Sequence, residues 1–409
     1  MVKIFTFSML TLLFSAFAQA ITVDEAIKIG LSNNPGLQAL RIETDVIKGQ
    51  LEKASLLFPS NPSIEGSVSK KDKTIEDGGG KYTNYGLKLS QEFEIAGQRG
   101  LRIDVTKKSL SKIAFEIRNV ERILTYDIKD IFSQALVLRK KTELAREVVR
   151  LREELLDLTK VKYHAGSVSG LEVNLAEVDL SKAKKDFLSM EKEGKATLLA
   201  LQGLMGMKLN SGFIVEGDIS LDAFPLPDKE IMKEQAISSR PDVQTAILEV
   251  DRTERLIDLA KRGAIPNVTI GGFYDRDEER YEKGAIMSLS IPLFDRKQAE
   301  RKEATARASQ AKVRRAELDK TVEREIENAY IGLISSLKEL TIFKTEIINK
   351  AVENLNLLNL AYKEGKISFF DVKAAQRDTL EIQFAYLDAI LRAQSAMHTM
   401  EKVIGGNLK

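Results

Sequence analysis

The sequence contains no cysteine and no tryptophan, only 2 histidines, and 8 prolines in 409 residues. Each scarcity removes a class of function. Without cysteine there are no disulfides, no thiolate metal sites and no cysteine nucleophile. His164 and His398 are too few for a histidine metal cluster. The 62 basic and 60 acidic side chains leave a net charge of +2, mixed along the chain without a basic block, so nucleic-acid binding has no footprint. No nucleophile, phosphate loop or metal cluster rises above background, and the chain reads as a non-enzyme without a cofactor.

Long apolar runs are equally scarce. The one at the N-terminus, Ile4 to Phe17, follows Lys3 and precedes Ala18-Gln19-Ala20, the pattern of a secretory signal peptide over residues 1–20 with a mature start near Ile21. No later run approaches the roughly 20 residues of a spanning helix. An exported chain of this kind is either soluble or meets lipid through strands.

Helical periodicity is what the sequence has in abundance. From Gln298 to Tyr362 there is no proline and a single glycine, Gly332, while apolar residues recur at gaps of three and four through Ala304, Ala308 and Ala311 and, past an interruption at Arg315, through Ile326, Ala329, Leu333, Leu337 and Leu340. Arg99 to Tyr163 reads the same way. A helix of roughly 65 residues is about 100 Å long, which a compact globular domain cannot use. Each long helix ends in a short turn, HAGSVSG or KEGKISF, after which a second helix returns. Gly166 and Gly365 stand where a left-handed C-terminal residue is wanted, and Ser169 and Ser368 where the next helix wants a cap.

The two turns align: Tyr163 with Tyr362, Gly166 with Gly365, Ser169 with Ser368. Upstream, NNPGLQA at Asn33 to Ala39 echoes SRPDVQT at Ser239 to Thr245. The mature chain is thus expected to be two copies of one unit of about 200 residues, 21–205 and 230–409, joined by a linker over 206–229. Each copy also holds two stretches of apolar and polar alternation, near 63–70 and 83–93, and near 267–274 and 284–294, ahead of helical hairpins at 98–205 and 296–404. Their length suits tilted strands crossing a bilayer, and a small soluble sheet packed on helices is the alternative. Four strands cannot close a barrel in lipid, but three copies would pool twelve. The expected fold class is therefore mainly α with a β membrane part. On the membrane reading, three protomers are expected to set their long antiparallel hairpins side by side as an α-barrel in a trimer, continued by a 12-stranded β-barrel to which each protomer gives four strands.

With the duplicated order of helix, two strands, long helix, turn and return helix in view, the chain resembles the TolC-type outer-membrane efflux proteins. LSQEFEIAGQRGLR at Leu89 to Arg102 and LSIPLFDRKQAER at Leu289 to Arg301 are similar to the strand-to-helix junctions of the cobalt-zinc-cadmium resistance branch, the CzcC-like proteins. The resemblance covers essentially the whole mature chain. It implies a homotrimer in outer-membrane lipid with a periplasmic α-barrel. It also implies docking to a periplasmic membrane-fusion adaptor and an inner-membrane pump of the resistance-nodulation-division class.

The resemblance further assigns candidate residues. Asp371 matches a lumen-facing acidic position at the periplasmic gate, although its place three residues after Ser368 equally suits compensation of a helix N-terminus. Ala374 stands where some members carry a second Asp, and Glu172 is the first-copy counterpart of Asp371. Gly166, Ser169, Gly365 and Ser368 shape the turns and are the expected adaptor-docking tips. Glu65 and Lys88, on the wet faces of their strands, are expected to line the pore, and His164 is expected to be an exposed packing residue instead of a metal ligand. The function expected is a passive conduit for heavy-metal cations or other small toxic solutes. A protein-secretion conduit and a soluble periplasmic coiled-coil scaffold remain as alternatives.

Overall fold

A computed structural model describes residues 19–73, 80–209, 212–221, 228–277, 280–363, 366–367 and 369–408. Residues 1–18 of the expected leader and the tip residues Gly365 and Ser368 lie outside the described residues. The order is β1 (Gln19–Ile21), α1 (Val23–Asn33), α2 (Pro35–Ser55), β2 (Ser63–Lys73), β3 (Gly80–Phe93), α3 (Gln98–His164) and α4 (Gly170–Met205). There follow β4 (Phe213–Val215), α5 (Lys229–Ser239), α6 (Pro241–Arg262), β5 (Val268–Arg276), β6 (Tyr281–Leu289), α7 (Gln298–Ile342), a π-helical turn (Phe343–Ile347), α8 (Ile348–Lys363) and α9 (Phe369–Ile404). β6 stops at Leu289, short of the expected 294, because its partner β5 begins at Val268, directly opposite Leu289.

The chain divides into two compact units. One contains residues up to Pro35, Ile123–Leu226 and Ala329–Lys402; the other contains Gly36–Arg122, Pro227–Asn328 and Val403–Lys409. Copies of the repeat therefore do not coincide with spatial units, since each copy contributes to both.

In the first unit the helices meet through small side chains. Ala145, Ala176, Ala183, Ala389 and Ala393 are buried, so backbones approach closely along the seams. Leu221, Leu340, Ala389, Ile390 and Ala393 form a hydrophobic cluster. α4 is tied to α3 by Lys160–Glu177 at 3.2 Å and Lys184–Glu153 at 2.9 Å. α9 reaches both of them, through Lys141–Asp388 at 2.5 Å, Arg152–Gln376 at 3.0 Å and the Lys373–Asp179 pair. The expected linker is structured at Phe213–Val215, which pairs in parallel with β1, and Gln394 donates to the Ile219 carbonyl at 2.9 Å. Ile21, at the expected mature start, is 4% exposed and stays paired with Val215.

The expectation of one unbroken helix from 298 to 362 is corrected by the π turn at Phe343–Ile347. Thr341 and Thr345 hydroxyls back-bond to the Leu337 and Thr341 carbonyls at 2.8 and 2.9 Å, competing with the regular ladder. The wider turn sets the Phe343 ring 6.4 Å from that of Tyr386, beside the hydrophobic cluster.

The same joint closes both copies of the repeat. At the end of α4, Gly206 is left-handed (φ 65°), Met207 donates to the Gln202 carbonyl at 3.0 Å, and Asn34 Nδ2 donates to the Leu204 carbonyl at 3.0 Å. At the end of α9, within the second unit, Gly405 is left-handed (φ 73°), Ser239 Oγ donates to the Ile404 carbonyl at 2.9 Å and Arg240 Nη1 to that of Val403 at 3.2 Å. The Arg240 guanidinium, 5% exposed, also bonds Asp242 and Glu325 at 2.6 Å each. Burial opposes the Asp242 charge, but the Arg240 hydrogen bonds and charge outweigh it and hold the carboxyl below its usual range. That contribution is complete above the ordinary aspartate value and is lost as pH falls through the depressed one.

A Cβ at Gly206 would collide with the Asn33 carbonyl oxygen and lie 2.7 Å from its carbon. Adding the left-handed backbone penalty, Gly206→Ala should destabilise by about 2 kcal/mol or more. Gly203→Ala, with nothing within 4 Å, should be neutral or mildly stabilising. Denaturant titration of the purified protein checks the pair; equal midpoints would contradict the close approach.

Candidate channel wall and helical tips

The sheet order is β2-β3-β5-β6, antiparallel throughout, with β2 and β6 at its edges. Register carries the alternation of each strand into common faces. Ile64 stands opposite Leu89, Leu89 opposite Gly272 and Gly272 opposite Ala285. Val68, Tyr85, Arg276 and Tyr281 form another row, and Ile270 faces Met287. This face is apolar and exposed: Ile64 72%, Val68 70% and Met287 78%.

The opposite face carries Ser63, Glu65, Ser67, Lys88, Ser90, Thr269 and Asp275. Lys88 Nζ lies 3.3 Å from Glu65 Oε2, an ion pair directly across β2 and β3. Glycines show which way the sheet curves. On the polar face a Cβ at Gly86 would strike Asp275 and Ser67, one at Gly284 would lie 2.6 Å from the Phe273 ring, and one at Gly271 would lie 2.8 Å from Ser90. On the apolar face Gly66 has nothing within 4 Å and Gly272 only a carbonyl at 3.7 Å. Side chains converge on the polar face and spread on the apolar one, so the polar face is concave.

Aromatic rings flank the apolar band. Tyr85, Tyr274 and Tyr281 mark the loop end, with the last two stacked at 6.4 Å, and Phe58 meets Phe93 edge-on at 5.3 Å at the helix end. From Tyr85 to Phe93 a strand rises roughly 27 Å, about 20 Å once tilted by roughly 40°. That matches the hydrocarbon band of a membrane β-barrel with its aromatic girdles. Among the described residues no helix is long and apolar enough to cross a membrane.

At the first helical turn Ser167 N–H donates to the Lys162 carbonyl and Gly166 N–H to that of Tyr163, both at 2.9 Å, around Gly166 at φ 72°. Ser169 N–H donates to Glu172 Oε1 at 3.4 Å, starting α4. Gly166, Ser169 and His164 are exposed. In the second copy, Lys366 N–H donates to the Ala361 carbonyl at 2.9 Å, the equivalent of the Ser167 bond. Asp371 lies exposed in the first turn of α9. The tip residues and the sheet residues belong to different units, and no single site gathers them.

Among the described residues no group of three His, Asp or Glu side chains could hold a metal ion. His398, missed as a structural residue by the sequence reading, is mostly buried with Nδ1 unpartnered. Burial lowers its pKa, against the opposing pull of Glu401 and Asp130, so it is neutral near pH 7.

A curved sheet with lipid-type and water-type faces, open at two edges and followed by long helical hairpins, defines a class: the subunit of a membrane conduit. The sequence matches the outer membrane efflux protein family over residues 26–207 and 233–406, and the chain belongs to that family. It is an outer-membrane efflux channel subunit whose helices lie in the periplasm. The chain is 21% identical over 390 residues to the cobalt-zinc-cadmium resistance protein CzcC of Cupriavidus metallidurans, covering 95% of this chain and 91% of that one. It is 22% identical over 359 residues to the pyoverdine export outer membrane protein OpmQ of Pseudomonas aeruginosa, covering 84% and 74%. Among solved structures, the CmeC outer membrane channel of Campylobacter jejuni superposes with a TM-score of 0.77 at 15% identity, over 95% of this chain and 86% of that one. The family takes the place of the soluble-scaffold alternative.

The absence of native cysteine permits a direct test of the two faces. Single cysteines at Leu87 and Met287 should react in outer membranes with a lipid-soluble maleimide and resist a charged one, and cysteines at Ser67 and Ser288 should show the reverse. Equal labelling by the charged reagent on both faces would contradict a lipid boundary.

Proposed function

We propose that three copies of this chain close a twelve-stranded barrel and a periplasmic helical tube that passes heavy-metal cations outward, making and breaking no bond. The observation that carries this reading is the concave polar sheet with two unpaired edges, which lipid does not tolerate in a single copy. The helical unit also has faces to cover. Leu171, Val178 and Leu188 on α4 are 67, 50 and 61% exposed beside Lys182 and Lys185, and Leu357 and Leu360 on α8 are 59 and 56% exposed beside Glu353. A neighbouring copy that sets one stripe against the other would match charge as well as apolar surface.

In this reading Glu65 and Lys88 line the pore, Asp371 forms a ring at the gate, and Gly166, Ser169, Gly365 and Ser368 shape the tips that a periplasmic adaptor grips. An inner-membrane pump of the resistance-nodulation-division class supplies the energy. The resistance named for CzcC favours cobalt, zinc or cadmium as cargo.

Deleting the chain from its host should lower tolerance to these cations, and the wild-type copy should restore it. In planar bilayers Asp371→Asn should reduce cation preference at low salt and leave it unchanged near 1 M, where screening acts within about 3 Å. A photo-crosslinker at Ser169→Cys should capture an adaptor. Unchanged metal tolerance with loss of siderophore or protein export would overturn the metal assignment.

A further inference from the structure

The exposed convex face of the sheet changes character at its loop end. Arg276 lies in the row of Val68, Tyr85 and Tyr281, directly opposite both tyrosines. Lys283 stands opposite Tyr274 one row nearer the centre, and Lys70 stands opposite Thr83 one row further out. All three cations are exposed, and none forms an ion pair or a side-chain hydrogen bond with another described residue. The contrast within the sheet is direct: Lys88 on the concave face is paired with Glu65, and Lys81 stands opposite Asp72 in register. Three unmatched cations on the side that meets lipid, level with or beside a tyrosine girdle, call for an anionic neighbour.

We propose that Lys70, Arg276 and Lys283, framed by Tyr85, Tyr274 and Tyr281, bind the phosphate groups of a phosphorylated glycolipid of the outer leaflet. The inference rests on the outer-membrane reading. Helices α3 and α7 leave the other end of the sheet on the periplasmic side, so this end faces outward. Cations on a lipid-facing strand are costly at the midplane and nearly free at the interface, which places this row at headgroup depth. There a guanidinium takes two phosphate oxygens at once, and the flanking lysines add point charge on either side. Arg276 and Lys283 are diagonal neighbours on adjacent strands, about 7 to 8 Å apart, and Lys70 lies two strands and one row from Arg276, about 12 Å away, so the two phosphates of one headgroup would meet the Arg276–Lys283 pair and Lys70 separately.

The test is native mass spectrometry of the intact detergent-extracted assembly with bis-phosphorylated lipid A, its dephosphorylated form and phosphatidylglycerol. The wild-type protein should retain the phosphorylated lipid A at least tenfold better than the dephosphorylated form. The variant combining Lys70→Ser, Arg276→Ser and Lys283→Ser should lose that preference. A variant of equal charge change on exposed helix faces, with Lys28, Lys48 and Lys192 changed to Ser, should keep it. No discrimination by the wild type, or full retention by the sheet variant, would overturn the proposal. Equally tight binding of phosphatidylglycerol would overturn the outer-leaflet source. Should the sheet variant fail to assemble, the wild-type comparison of the two lipid A forms still decides. A protein that stays in solution without detergent and binds no lipid would refute the membrane reading itself, whereas insertion without lipid selectivity refutes this inference alone.

Discussion

An unpaired strand edge in hydrocarbon leaves a row of N–H and C=O groups with no partner, each at a cost of several kcal/mol. The four-stranded sheet has two such edges, on β2 and β6, and no strand among the described residues pairs with them. Much of the molecule follows from that constraint. Closure needs further copies of the same sheet, and the curvature for closure is built in, because Gly86, Gly271 and Gly284 let side chains crowd the concave face. Polar residues on that face and apolar residues on the other then divide water from lipid.

Duplication solves the helical part with one local device used twice. Each copy begins with a helix pair bent at Pro35 or Pro241 and ends with a helix closed by a left-handed glycine, Gly206 or Gly405. In both, side chains from the bend bond the last carbonyls of the returning helix. The copies have diverged in how they do so. Asn34 suffices in the first, while the second uses Arg240 with two carboxylates. The second copy also carries the π turn, which its uninterrupted counterpart α3 lacks.

Elements with a strong period were legible in the sequence. The heptad-like stripe gave the long helices, and alternation gave the four strands with their faces, since a strand's period of two leaves no freedom once one face is apolar. Turns with Gly166 and Ser169 were legible because a left-handed residue and a helix start have few chemical solutions. What was hidden depends on partners distant in sequence. The three-residue strands β1 and β4 are too short to show a period, and the packed linker is recognisable only once Gln394 meets Ile219. The π turn leaves the apolar spacing almost undisturbed. Of the candidate site, the Glu65–Lys88 pair was visible as two residues on wet faces but not as partners, because register sets their contact. The place of Arg276 between Tyr85 and Tyr281 was not legible either, since only register brings the three together.

The central claim is that one chain does not complete the wall. Sedimentation equilibrium of the detergent-extracted protein, with the detergent density-matched, counts the chains directly. Three chains per particle, held over a hundredfold dilution, is the result this account predicts. A stable single chain carrying an intact sheet would contradict it.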